Sequence, residues 1–261
     1  MEEQKLLKTE NIKIKKPRYY LLDTLRGFMV FCMVFFHGFI SAGMVFENSS
    51  VLNFFDFLYK FFSPAEPFFA GGFIILSGIC CHFSRSNLKR GIILFIIALI
   101  INIFTVTATE FFDMEISIYF GILNLLSFCM IFVGIFIFIL KRINGIAGII
   151  VTFIAFLALY YFVAKPDYSF TLTQNPYVFM FGFVTKDFYS TDYFPILPWA
   201  FLYLTGYFIG KTNVIQNHEK IFCKKIIPPF AFIGKYALII YVLHQPIIYG
   251  LCYLINFAVN K

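Results

Sequence analysis

The chain has 261 residues, 60% of them hydrophobic and only 13% charged, with a mean hydropathy of +0.82 and a formal net charge of +7. No water-soluble domain of this length hides so much apolar surface, so the composition excludes a soluble globular protein and predicts an all-α, polytopic membrane helix bundle. The basic excess gives no support to nucleic-acid binding, because the cations sort by side of the membrane.

Residues 1–20, MEEQKLLKTENIKIKKPRYY, read as a polar, basic tail. The apolar run after it exceeds a signal-peptide core and lacks a small-residue cleavage site, so it is expected to stay as an anchor. A spanning helix needs about twenty apolar residues. Seven runs are assigned as spans, at 22–43, 66–83, 91–109, 118–140, 145–164, 194–210 and 230–257. They make 21–257 the membrane domain, with 258–261 as a short C-terminal end. The stretch VLNFFDFLYKFF (51–62) is amphipathic and too short to span, so it is expected in the interface or part-way into it. The sixth run carries Pro195 and Pro198 at its start, where proline is tolerated. Between the fifth and sixth runs, residues 165–193 are rich in aromatics, which fit either an interfacial belt or a platform for a sugar. The cysteines (Cys32, Cys80, Cys81, Cys129, Cys223, Cys252) have neither disulfide-framework nor zinc-ligand spacing, so they are taken as small membrane hydrophobes.

Alternate loops divide the charge. The tail, the 84–90 turn, Lys141–Arg142 and the 211–229 loop, with Arg26 and Lys235 at adjoining helix ends, hold 17 of the 21 Lys and Arg. The positive-inside rule therefore predicts a cytoplasmic N-terminus and, with seven spans, an external C-terminus.

Charged or titratable groups inside hydrocarbon are costly, so each is a candidate working part. In LRGFMVFCMVFFHG, Arg26 and His37 are eleven positions apart. At 100° per residue they share one helix face, about 16 Å apart along the axis. Asp23 lies on the same stripe, three residues before Arg26, close enough to pair with it. Arginine suits phosphate, and a neutral histidine suits general-base work. In GKYALIIYVLHQPIIYG, His244 and Gln245 precede Pro246, whose ring should kink the helix and turn polar groups toward a cavity. Arg85, Arg90 and Lys235 could help hold phosphates, or could follow the topology rule alone. Ser77, Asn124 and Trp199 join His244 and Gln245 as candidate pocket residues. No P-loop, zinc-protease or G-x-S-x-G signature occurs, and no metal is expected.

The pattern LDTLRGFMVFCMVFFH resembles the first helix of membrane-bound acyltransferases, in which Arg and His separated by ten residues are a hallmark. With FFAGGFIILSGIC, YFGILNLLSF, DYFPILPWAFLYLTGYFIGK and GKYALIIYVLHQPII in order, the chain resembles the bacterial relatives of the heparan-alpha-glucosaminide N-acetyltransferase catalytic domain. This resemblance implies a multi-pass enzyme of a bacterial cytoplasmic membrane. It would transfer an acyl group from cytoplasmic acyl-CoA, usually acetyl-CoA, to a hydroxyl or amine of a sugar or glycan at the far face. By match, Arg26 would serve the donor and His37 the chemistry. In the same resemblance, the lysosomal relatives use an asparagine at the position of His37 and a histidine in the following loop. Residues 38–81 contain no histidine, so here His37 would act in place. The competing reading is a transporter or flippase, with a polar path along the first and seventh spans; no internal repeat supports it. Self-association is left open.

Overall fold

The computed structural model describes residues 18–46, 49–112, 116–163 and 173–259. The basic tail up to residue 17, the start of the 165–193 segment and the last two residues lie outside them. Among the described residues the chain is helical and has no strand, with one isolated bridge pairing Phe120 and Tyr193. Its helices are α1 (Tyr20–Val45), α2 (Ser49–Phe62), α3 (Glu66–His82), α4 (Asn87–Phe112), α5 (Ile122–Ile135) and α6 (Ile137–Arg142). There follow α7 (Gly145–Val163), α8 (Ile196–Lys211), the short α9 (Val214–Asn217) and α10 (Glu219–Phe222), then α11 (Pro228–Lys235) and α12 (Ala237–Val259).

Five helical runs among the described residues are long and apolar enough to cross a membrane by themselves: Tyr20–Val45, Val51–His82, Asn87–Phe111, Gly145–Phe162 and Ala237–Ala258. The fourth expected run is a pair of helices broken at Phe136, and the sixth is the 16-residue α8. The expected amphipathic segment is helical, and one 3-10 turn at Ser63–Ala65 joins it to α3. Its Phe54, Phe57 and Phe61 point outward.

In a bilayer the outside of a bundle is apolar and backbone polar groups are satisfied within the helices. The structure follows that rule. Helix α4 exposes Ile93, Ile96, Ile100 and Ile103, and α12 exposes Ile239, Leu243, Ile247 and Leu251. The buried core joins α3, α5 and α8 through Ile74, Leu125, Val133, Tyr203, Tyr207 and Phe208. Small polar groups tie helices where hydrocarbon offers nothing else: Thr152 and Thr205 hydroxyls lie 2.9 Å apart between α7 and α8. At the end of α6, Lys211 donates to the carbonyls of Leu140, Lys141 and Ile143, capping orphan acceptors.

Three helix pairs meet through glycine, α4 and α5 at Gly91 and Gly134 among them. A Cβ on Gly27 of α1 would collide with the Phe230 carbonyl of α11, and one on Gly234 with the Asp23 carbonyl. Likewise Gly78 of α3 meets the Tyr203 carbonyl of α8, and Gly206 meets that of Ile75. Only glycine allows backbones this close, as is common between membrane helices.

Candidate active site

The close approach at Gly27 and Gly234 brings the residues beside them, Arg26 and Lys235, to one place. There the Arg26 guanidinium sits 3.3 Å from Asp23 Oδ1, so the expected pair forms. Arg18, at the end of the basic tail, adds two hydrogen bonds to Asp23 Oδ2, at 2.9 and 2.7 Å. Arg26 also touches the sulfur of Cys80 on α3.

A cavity of about 310 Å³ opens beside this group, lined by Arg26, Ser77, Cys80, Arg90 and Lys235 together with apolar side chains. Its three cations come from α1, α4 and α11. A second cavity, of about 220 Å³, lies further along α1 and is lined by His37, Glu66, Asp192, Trp199 and aromatic and apolar neighbours. Phe73 and Tyr241 line both cavities, so these two side chains form the shared wall.

Helix α12 serves the second cavity with one face, since residues three and four apart are neighbours on a helix. The Tyr241 hydroxyl donates to Asp192 Oδ2 at 2.6 Å, and that oxygen also accepts the Ile122 N–H at the start of α5, at 3.1 Å. One turn on, Gln245 Nε2 lies 2.8 Å from His37 Nδ1, while its Oε1 lies 3.4 Å from the Ser41 hydroxyl. The His244 ring stands 5.2 Å from that of His37, centroid to centroid. Its Nδ1 lies 2.6 Å from the Tyr241 carbonyl, and its buried Nε2 has no hydrogen-bond partner among the described residues. Burial raises the Asp192 carboxyl above the ordinary carboxylate range, and the hydrogen bonds from Tyr241 and Ile122 oppose that shift.

The sequence-predicted residues thus fall into two groups. Arg26, Ser77, Arg90 and Lys235 line the first cavity, with Asp23 behind Arg26; His37 and Trp199 line the second, with Gln245 and His244 behind His37. Asn124 accepts the Gly121 N–H at the start of its own helix and borders a small void beside Asp192 and Tyr241. Arg85 is exposed in the turn between α3 and α4 and lines neither of the two cavities.

Sequence reasoning missed Phe73, Glu66, Asp192, Tyr241 and Ser41. Two of them left a signal. Tyr241 precedes His244 and Gln245 at helical spacing, and Asp192 stands at the head of the DYFPILPW block. The other three meet the site only through the packing of α1, α3 and α12.

A sequence model of the family described as heparan-alpha-glucosaminide N-acetyltransferase, catalytic, matches residues 18–246. The chain belongs to this family. Membership makes it a multi-pass transmembrane acyltransferase. The heparan-alpha-glucosaminide N-acetyltransferase match takes in every residue that lines the two cavities. No curated protein and no solved structure matches the chain.

Proposed function

We propose that this acyltransferase moves an acyl group, acetyl above all, from cytoplasmic acyl-CoA to a hydroxyl or amine of a sugar at the outer face. The observation that carries this reading is the pair of cavities with a common wall at Phe73 and Tyr241, one rich in cations and the other holding His37.

In this reading Arg26, Arg90 and Lys235 take the phosphates and other polar oxygens of the donor, since charge-assisted hydrogen bonds are the strong ones. Asp23 holds the Arg26 guanidinium in place. The thioester end points along the apolar floor toward Phe73 and Tyr241. In the second cavity His37 removes the proton from the acceptor hydroxyl or amine as its oxygen or nitrogen attacks the thioester carbonyl. The C–S bond then breaks, and the proton passes to the departing CoA sulfur. A two-step route through an acylated His37 would use the same residues.

The division of 17 Lys and Arg against 4 supports a cytoplasmic N-terminus and an external C-terminus. Seven crossings then require α5 with α6, and α8, to span despite their lengths. A reporter fused to the C-terminus should be active only outside the cytoplasm; cytoplasmic activity would overturn this orientation.

The catalytic claim is tested by incubating purified protein with acetyl-labelled acetyl-CoA and a sugar, and measuring label transfer and CoA release. Arg26→Ala should weaken CoA binding about 10- to 100-fold, because hydrogen bonds to charged groups are worth about 1.5–3 kcal/mol. Unchanged affinity would remove Arg26 from the donor site.

A further inference from the structure

The hydrogen bonds around Gln245 define a three-residue chain. Ser41 on α1, Gln245 on α12 and His37 on α1 are linked hydroxyl to amide to imidazole, at 3.4 and 2.8 Å. Ser41 is 1% exposed, so this chain is built into the helix contact and does not drift at a surface. Because Gln245 occupies Nδ1, the nitrogen left to His37 for chemistry is Nε2.

A neutral imidazole carries its proton on one nitrogen, and the partner of Nδ1 decides which. With the amide NH2 toward Nδ1, as it stands, the proton belongs on Nε2, and Nε2 cannot act as a base. A half-turn of the amide about its terminal torsion puts the carbonyl oxygen in the same place. Nδ1–H then donates to that oxygen and Nε2 becomes the free base. The hydroxyl of Ser41 can donate or accept, so it satisfies the outer end of the amide in either state. An ionised carboxylate would favour the same tautomer, but at the price of a second charge in the membrane's interior.

We propose that Gln245, steadied by Ser41, is the positioning residue for His37: its amide sets the imidazole tautomer and stabilises the imidazolium formed during transfer. This rests on the reading of His37 as the proton acceptor. Through the step, Nε2 takes the proton from the attacking hydroxyl or amine, the new bond to the acyl carbon forms, and the C–S bond breaks. Nε2 then returns the proton to sulfur. Nδ1–H stays bonded to the Gln245 oxygen throughout.

The experiment uses the full chain in lipid nanodiscs, with acetyl-CoA as donor and glucosamine as the probe acceptor. Gln245→Met keeps the bulk and removes the amide; it should lower kcat about 10- to 100-fold, with KM for acetyl-CoA within about twofold. Gln245→Glu should recover most of that loss, because its carboxylate accepts from Nδ1–H. A second readout needs no turnover. With 15N-labelled imidazoles, and His37 assigned by the loss of its signals in His37→Ala, Gln245→Met should move the His37 Nδ1 and Nε2 resonances. Unchanged kcat, unmoved His37 resonances, or no recovery in Gln245→Glu would each overturn the proposal. Should His37→Ala retain full turnover, the reading beneath it fails instead, and the two failures are told apart by that variant alone.

Discussion

His37→Ala is expected to leave the chain folded and able to bind CoA while turnover falls about 10²- to 10⁴-fold, the loss typical of a missing general base. The argument is one of position. A helix that enters the bilayer near residue 22 carries residue 37 about 22 Å deep, beyond the middle of a core about 30 Å thick. That depth suits a group that must meet a donor from one side and an acceptor from the other. The cavity it lines shares Phe73 and Tyr241 with the cation-lined one, so an acyl group has only that wall to pass. His244→Ala is the control. It lies 5.2 Å from His37 but is not among the residues lining either cavity. Its loss should cost less than that of His37. Acetyl transfer and CoA binding measured on both variants decide the matter: near-normal turnover in His37→Ala with loss in His244→Ala would assign the chemistry to α12.

Gly27→Leu is expected to disrupt the bundle severely. The first carbon of any side chain there would overlap the Phe230 carbonyl and the Gly234 nitrogen, both of them backbone. Backbone cannot rotate aside, so α11 must move away from α1. Overpacking of this kind costs about 3 kcal/mol or more. It also separates Arg26 from Lys235, so donor binding should fall together with thermal stability. Gly250→Leu supplies the contrast, since a Cβ there meets nothing within 4 Å. Thermal unfolding of the two variants in the same detergent should show a clear drop for Gly27→Leu and almost none for Gly250→Leu. Equal curves would mean that the α1–α11 contact is dispensable.

Much of this architecture is written in local pattern. Span-length apolar runs, their basic flanks, and the shared face of Asp23, Arg26 and His37 depend only on composition and on 100° per residue, and five of the seven runs fall largely in single helical stretches of spanning length among the described residues. The same spacing applied to GKYALIIYVLHQ would have added Tyr241. What stayed hidden depends on contacts between helices distant in sequence. Phe73, Glu66 and Ser41 become site residues only once α3 and α12 pack around α1, and no periodicity encodes that meeting. The break at Phe136 left only a faint signal, Gly134 two residues before it, because the apolar run continues through it unchanged. Arg85 shows the converse: a cation at the expected end, yet in a turn away from both cavities.

The glycine contacts have a mechanical consequence. Every glycine whose added Cβ would come within 3.0 Å of another helix's backbone, namely Gly27, Gly78, Gly91, Gly134, Gly206, Gly210 and Gly234, lies in the half of the bundle nearer Arg26. Toward the other end, Gly38 and Gly250 face open space, Gly43 meets only the tip of Leu52, and Gly121 meets the side chain of Asp192 rather than a helix backbone. The bundle is therefore like a set of rods riveted at one end. Lateral pressure or a change in bilayer thickness should be taken up first at the other end, where side chains rather than backbones meet and the Gln245–His37 and Tyr241–Asp192 hydrogen bonds hold the helices together.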